Sequence, residues 1–190
     1  MLDTIADMVT AEAIQLEQRG RFEPNRGTYL QVIQGKTAGL FRFALAAGAT
    51  LGGLSPEQVA ALGQVGNALG LAFQLMDDVL DVEGTTDDLG KDLLVDLREG
   101  KLTWPFILAA ERDPDFVPML QAYVAPDADS SAPQASDIIK KLVSTRAIID
   151  TRVFAEAQGE EARQLLAGLP KGTTRAAIEA VIDSAIRRKK

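Results

Sequence analysis

The chain has 190 residues, 46% of them hydrophobic, enough to bury a sizeable core in one domain, and its net charge of −7 argues against a nucleic-acid footprint, because phosphate backbones recruit basic faces. It contains no cysteine and no histidine, which excludes disulfides, thiolate metal sites, cysteine nucleophiles and the commonest near-neutral general base. Any chemistry must use carboxylates, lysines, hydroxyls or a hard metal ion.

Apolar residues recur at helical spacing almost throughout, and no stretch sustains the alternation of a half-buried strand, so the predicted class is all-α, with one domain over residues 1–190. A first helix is predicted from Asp3 to Arg19, with Ile5, Val9, Ala13 and Leu16 on its apolar face and Gly20 as its stop. A second is predicted from Thr28 to Thr50, carrying Leu30, Ile33, Thr37, Leu40 and Phe41 and ending at Gly52-Gly53. Ser55-Pro56-Glu57-Gln58 then supplies an N-cap, a first-turn proline and a capping-box glutamine for a helix running to Val82.

Thr85 to Gly100 is polar and holds most of the conspicuous charge. A shorter helix is predicted from Leu102 to Glu111, another beginning at Asp113-Pro114 and ending before Pro126, and a surface loop over Ala125 to Pro133. From Ser136 to Leu169 the spacing of Ile138, Leu142, Ile149, Val153, Ala157 and Leu165 predicts one long helix broken near Gly159. Thr173 or Thr174 is expected to cap a last helix through Ala185, ahead of the basic residues Arg187 to Lys190.

The longest weakly polar run, Phe43 to Leu54, is too short and too glycine-rich to span a bilayer, and the N-terminus is acidic where a signal peptide would be basic. These features predict a cytoplasmic protein that is not integral to a membrane.

The sharpest chemical feature is Asp77-Asp78-Val79-Leu80-Asp81, embedded in the apolar run Leu69 to Met76. On a helix Asp77 and Asp81 share a face and Asp78 lies to one side; an exposed like-charge pair at that spacing costs roughly 0.2–0.5 kcal/mol. Mg²⁺ offers compensation, since it takes oxygen ligands and bridges one or two carboxylates to phosphates. A solvated acidic face is the plainer alternative for the motif alone. Three lysines weigh against it in combination: Lys36, beside Thr37, and Lys91 and Lys101, which lie in and just after the polar segment behind the carboxylates and suit phosphate as compact point charges.

Lys36-Thr37, then Gly70 to Asp81, then Gly90-Lys91, then Asp96-Leu97-Arg98-Glu99-Gly100-Lys101-Leu102-Thr103-Trp104-Pro105 resemble, in order and spacing, the trans-isoprenyl (polyprenyl) diphosphate synthase family, closely over Ala13 to Leu108 and loosely beyond. The resemblance implies an isoprenoid-synthase-type helical bundle truncated at its N-terminus. It also implies that Asp77 to Asp81 is the second of two aspartate-rich motifs that hold Mg²⁺ and an allylic diphosphate. Asp77 is then the main Mg²⁺ ligand, with Asp78 and Asp81 completing the cluster directly or through water. Lys36, Lys91 and Lys101 would neutralise the diphosphate, and Thr37 and Gln74 would line the same site. The implied reaction is ionisation of the allylic C–O bond and attack by isopentenyl diphosphate, with the final proton going to released diphosphate.

Phe41, Phe43, Phe73 and Leu75 are read as ordinary core rather than as a hydrocarbon tunnel. The first aspartate-rich motif of the family is absent, and Asp87-Asp88, in a loop without a third carboxylate, does not replace it. Leu94 stands where the family usually has glycine, and Ala11 where it has glycine before Glu12. The chain is therefore expected to be part of a synthase and inactive in isolation, a shortened non-catalytic partner modulating a full-length synthase, or a helical protein retaining the signature without the chemistry. A homo-oligomer or a complementing synthase subunit is the expected association.

Overall fold

The computed structural model describes residues 1–83, 93–126 and 132–188, and every regular element among them is helical. In chain order they are α1 (Leu2–Gln18), α2 (Arg26–Ile33), a π-helical turn (Gln34–Ala38), α3 (Gly39–Leu51), α4 (Pro56–Val82), α5 (Val95–Arg98), α6 (Trp104–Arg112), α7 (Phe116–Val124), α8 (Ala135–Ser144), α9 (Ala147–Ala167) and α10 (Thr173–Ile186).

The capping box before α4 forms in full: Gln58 N–H donates to the Ser55 hydroxyl at 3.3 Å, and Ser55 N–H donates to Gln58 Oε1 at 3.0 Å. This helix is the centre of the molecule and packs against both α3 and α9. It is long and apolar enough to cross a bilayer, with a mean hydropathy of 1.3, but 61% of that stretch is buried within the protein. Its apolar character serves the core. Val65, Leu69, Ala72, Leu75, Met76 and Val79 are all buried along it.

Contact with α3 and with the π-helical turn that leads into it is made through glycine. A Cβ on Gly66 would lie 2.4 Å from the Phe41 carbonyl oxygen, and one on Gly70 would lie 2.5 Å from Ala38 Cα. The two backbones can therefore approach only where side chains are missing. Phe41 and Phe73 pack together beside this crossing, ring centroids 5.6 Å apart, and Leu75 is fully buried. Phe43 instead lines a cavity of about 1020 Å³ bordered by Thr4, Asp7, Arg42, Gln64 and Asn67.

Several expectations are corrected. On α1 the predicted face is outward, with Ile5, Val9, Ala13 and Leu16 exposed and Thr4 and Ala11 buried. The helix meets the π-helical turn and α3, where small residues permit closer packing than large ones. The second predicted helix starts earlier, at Arg26, where Asn25 accepts Thr28 N–H at 2.9 Å, and the π-helical turn interrupts it at Lys36-Thr37.

The long helix predicted from Ser136 divides not at Gly159 but at Thr145 and Arg146, the latter left-handed at φ 59°. Gly159 stays helical and buried because α10 crosses it: a Cβ there would lie 2.8 Å from Ile186 Cγ2. The inward face of α9 is Ala147, Ile148, Thr151, Ala155, Ala162 and Leu166, whereas Ile149, Val153 and Ala157 are exposed. Lastly, Gly172 rather than a threonine is the N-cap of α10, and no side chain caps it.

The Asp113-Pro114 start signal opens α7 two residues later, at Phe116. Part of the polar segment and part of the predicted 125–133 loop lie outside the described residues, and Lys91 with them.

Candidate active site

The aspartate block forms the last turn and a half of α4, and its three carboxylates have different surroundings. Asp77 is exposed and pairs with Arg188, Oδ1 to Nη2 at 3.2 Å, while the guanidinium lies over the Phe73 ring at 4.8 Å. Asp78 is buried: Oδ2 accepts the Tyr29 hydroxyl at 2.5 Å and the Trp104 backbone N–H at 3.1 Å, and Oδ1 accepts Gln74 Nε2 at 3.1 Å. Burial pushes its pKa up to about 7 despite these three bonds, which favour the ionised form. Burial and the neighbouring carboxylate also raise the Tyr29 hydroxyl well above its ordinary value.

Asp81 fastens the segment that follows. Its backbone carbonyl accepts Leu94 N–H at 2.9 Å, and its Oδ1 accepts Val95 N–H at 2.9 Å. Oδ2 is buried without a hydrogen-bond partner. Desolvation, then the charge of Asp96, raises the Asp81 pKa to about 6. Leu94, the residue in place of the family's glycine, is fully buried and left-handed at φ 60°. A conformation suited to glycine is held here by a leucine whose side chain is locked in the core.

Lys36 and Thr37 sit on the π-helical turn, an irregularity found often at functional sites. Lys36 Nζ lies 2.6 Å from Glu12 Oε2 and 2.7 Å from Gln15 Oε1 of α1. The Thr37 hydroxyl donates to Gln74 Oε1 at 3.0 Å. Lys101 pairs with Asp96 at 3.0 Å and Glu99 at 2.7 Å; burial opposes its charge, but these two bonds outweigh it and raise its pKa. Its hydrogen bond and charge come first among the causes that hold the Glu99 carboxyl below its ordinary value, with the charges of Arg19 and Lys36 adding to them.

Thr37, Gln74 and Asp78 thus form one hydrogen-bonded chain, and Lys36 and Lys101 are each matched by the molecule's own acids. Asp77 lies apart, at Arg188. No group of three acidic side chains able to hold a metal ion is assembled among the described residues. The donor set nevertheless suits a cation held by two carboxylates, which is common for Mg²⁺. Asp77 is accessible, and Asp81, one turn later on the same face, keeps one unpartnered oxygen. Both oxygens of Asp78, in contrast, are occupied by protein donors.

Tyr29, Glu12, Gln15, Asp96 and Glu99 complete this constellation and were not anticipated as site residues. Asp96 and Glu99 lie inside the last recognised block, which is the one signal that pointed to them. Tyr29 reads as core by its apolar spacing, and its hydroxyl role depends on a partner 49 residues away.

Helices gathered around a central one, with Thr37 joined through Gln74 to the aspartate block, make an all-α protein, and its solved structural relatives place it in the isoprenoid-synthase fold. The polyprenyl synthetase family model matches residues 1–144, and the chain belongs to that family. It is 33% identical over 188 residues to the nonaprenyl diphosphate synthase of Mycobacterium tuberculosis, covering 98% of this chain and 55% of that one. To heptaprenyl diphosphate synthase component 2 of Bacillus subtilis it is 30% identical, covering 98% of this chain and 52% of the other. The crystal structure of a decaprenyl diphosphate synthase from Rhodobacter capsulatus superposes with a TM-score of 0.86 at 32% identity, over 97% of this chain and 57% of that one. The chain spans about half the length of these relatives.

Proposed function

We propose that this chain carries the allylic-diphosphate half of a trans-polyprenyl diphosphate synthase site, for the Mg²⁺-dependent head-to-tail (1′-4) condensation with isopentenyl diphosphate. The observation that carries this reading is the Thr37–Gln74–Asp78 chain, which joins the Lys-Thr pair of the π-helical turn to the aspartate block. Lys36 and Lys101 would exchange their internal acids for diphosphate oxygens, with Lys91 assigned by sequence position. Asp77 and Asp81 would hold Mg²⁺, and Asp78 would hold the site's shape.

Charge does the work in such a site. Bound Mg²⁺ would supply positive charge to the departing diphosphate. The lysine ammonium groups stabilise the same developing charge as the allylic C–O bond breaks with its electron pair going to diphosphate. The double bond of isopentenyl diphosphate then forms the new C–C bond, and the proton lost afterwards passes to the released diphosphate. No histidine is required.

Calorimetric titration with a non-hydrolysable farnesyl diphosphate analogue tests the reading, with and without Mg²⁺, on the protein and on Asp77→Ala. Mg²⁺-dependent binding that the substitution abolishes supports it; absence of binding to the unsubstituted protein overturns it.

A second reading, a non-catalytic partner of a full-length synthase, draws on the likeness to a protein named as a component. The exposed apolar stripe of Leu2, Ile5, Val9 and Leu16 suits association with such a subunit or with a second copy. Sedimentation of a compact monomer at micromolar concentration would contradict self-association. A cytoplasmic location accords with the acidic, cysteine-free composition.

A further inference from the structure

One face of α1 addresses both Lys36 and Lys101, by different routes. Glu12, Gln15 and Arg19 follow one another at intervals of three and four residues and so share that face. Glu12 and Gln15 hold Lys36 directly, at 2.6 and 2.7 Å from its Nζ. Arg19 reaches instead the backbone beside Lys101. Its Nε donates to the carbonyl of Glu99, and the next residue, Gly20, donates its N–H to the carbonyl of Gly100 at 2.8 Å. A guanidinium and a backbone N–H only donate, and a carbonyl only accepts, so the sense of both bonds is fixed and involves no titrating group.

The backbone held in this way is the turn that carries Lys101. The four-residue helix α5 closes with Gly100 left-handed at φ 78°. Gly100 N–H returns to the Leu97 carbonyl at 2.9 Å and Lys101 N–H to the Asp96 carbonyl at 2.9 Å, which is the usual closure of a helix by a left-handed glycine. These bonds use the N–H groups of the turn, and the end of α1 takes up the carbonyls of Glu99 and Gly100. Glycine at position 100 meets two demands at once. The left-handed backbone favours it, and a Cβ there would lie 2.9 Å from Gly20 N and 3.2 Å from Arg19 Cγ. The start of α5 is tied separately to α4, through the bonds from Leu94 and Val95 to Asp81. Its exit, where Lys101 stands, is tied to α1.

We propose that Arg19, which lies outside the sequence blocks of the family resemblance, is a positioning residue for Lys101, and that the end of α1 is the common frame for the Lys36 and Lys101 ammonium groups. The meaning of this role rests on the proposed function: a ligand with two linked phosphoryl groups needs positive charge at fixed places, and preorganised charge is worth more than mobile charge. The pairs of Lys101 with Asp96 and Glu99 lie within its own turn, so they fix the side chain to the turn but not the turn to the molecule. Arg19 and Gly20 supply that second attachment.

Backbone hydrogen exchange of the whole chain without ligand, followed by nuclear magnetic resonance, is the first arm of the test. In the unsubstituted protein the Gly20 N–H should be protected; exchange there at the rate of an unstructured chain overturns the proposal without any variant. Arg19→Ala removes one hydrogen bond from a charged donor, so the Lys101 and Gly20 amides should exchange roughly tenfold faster while those of α4 and α9 keep their rates. Unchanged exchange at Lys101 overturns the proposal. So does an equal rise throughout the molecule, which is what a merely structural contribution produces.

The second arm is calorimetric binding of inorganic pyrophosphate in the presence of Mg²⁺. Arg19→Ala should weaken it roughly fivefold and should add nothing in a Lys101→Ala background, where no ammonium is left to position. Effects that multiply would show that the Arg19 charge acts on the ligand directly, which overturns the positioning role. Absence of pyrophosphate binding to the unsubstituted protein would overturn the proposed function, whereas the exchange rates still decide whether α1 holds the Lys101 turn.

Discussion

Replacing Gly66 by alanine adds one methyl group where α3 and α4 cross, and the structure sets two opposing effects. Alanine in a helix interior is favoured over glycine by about 0.5–1 kcal/mol, mainly because glycine loses more backbone entropy on folding. Against this, the new Cβ would lie 2.4 Å from the Phe41 carbonyl oxygen, 2.6 Å from the Phe41 carbonyl carbon and 2.8 Å from Arg42 Cα. All three are backbone atoms, so no side-chain rotation relieves the clash. The helices must separate by about 1 Å to reach the ordinary contact distance of 3.4 Å, which loosens the neighbouring Gly70–Ala38 approach as well. Overpacking of this kind costs typically about 1–3 kcal/mol, and a rigid neighbour belongs at the upper end. The expected net effect is a loss of about 2 kcal/mol, or a fall in Tm of roughly 4–8 °C for a chain of this size.

Gly48→Ala is the matched control. It is an exposed position inside α3 with nothing within 4 Å of its added Cβ, so only the propensity gain of about 0.5–1 kcal/mol should remain. Urea unfolding of both variants, with m checked for constancy, measures the pair. If Gly66→Ala stabilises the protein as Gly48→Ala does, the close crossing of α3 and α4 is wrong.

Leu94→Gly relieves a left-handed leucine, worth about 1–2 kcal/mol, but empties a fully buried site whose loss costs about 2–5 kcal/mol. Chemical denaturation should show net destabilisation of roughly 2 kcal/mol, and a stabilised variant would mean that backbone strain dominates. Asp78 has a folded pKa raised from 3.8 to about 7, so its contribution to stability is fully present below the unfolded value and lost as pH rises through the folded one. The stability of the protein relative to Asp78→Asn should therefore fall between those two pH values, by at most about 1.4 kcal/mol per pH unit, in metal-free buffer; a flat difference would refute it. Arg188→Ala removes a partly exposed ion pair with Asp77 and should change stability by less than about 1 kcal/mol, while tightening Mg²⁺ binding in calorimetry by removing a competing cation. Weaker Mg²⁺ binding would show instead that Arg188 supports the site.

Much of the molecule is determined locally and can be read from the chain. Helical periodicity, the Ser55–Gln58 capping box and the proline and glycine stops place most of the helices, because each depends on residues a few positions apart. The order of the Lys-Thr, aspartate and Gly-Lys blocks is likewise legible, and through the family resemblance it assigned Thr37 and Gln74 to one site; a hydrogen bond of 3.0 Å joins the two.

Which face of a helix is buried was less legible. On α1 and α9 the large apolar residues Ile5, Val9, Leu16, Ile149 and Val153 point outward, and Ala11, Ala155, Gly159 and Ala162, joined on α9 by Ile148 and Leu166, face the core. Close approach between helices selects for small side chains, to which apolar periodicity gives little weight. Arg146, which ends α8 in a left-handed conformation, carries no glycine to announce the break.

The division of labour among the aspartates belongs wholly to tertiary structure. Asp77 and Asp78 are adjacent and chemically identical, and nothing in the motif separates them. What separates them is that the helix turns Asp78 toward Tyr29 and Trp104, 49 and 26 residues away, where burial makes an unpaired carboxylate costly and three donors satisfy it. Asp77, about 100° around the same helix, stays at the surface.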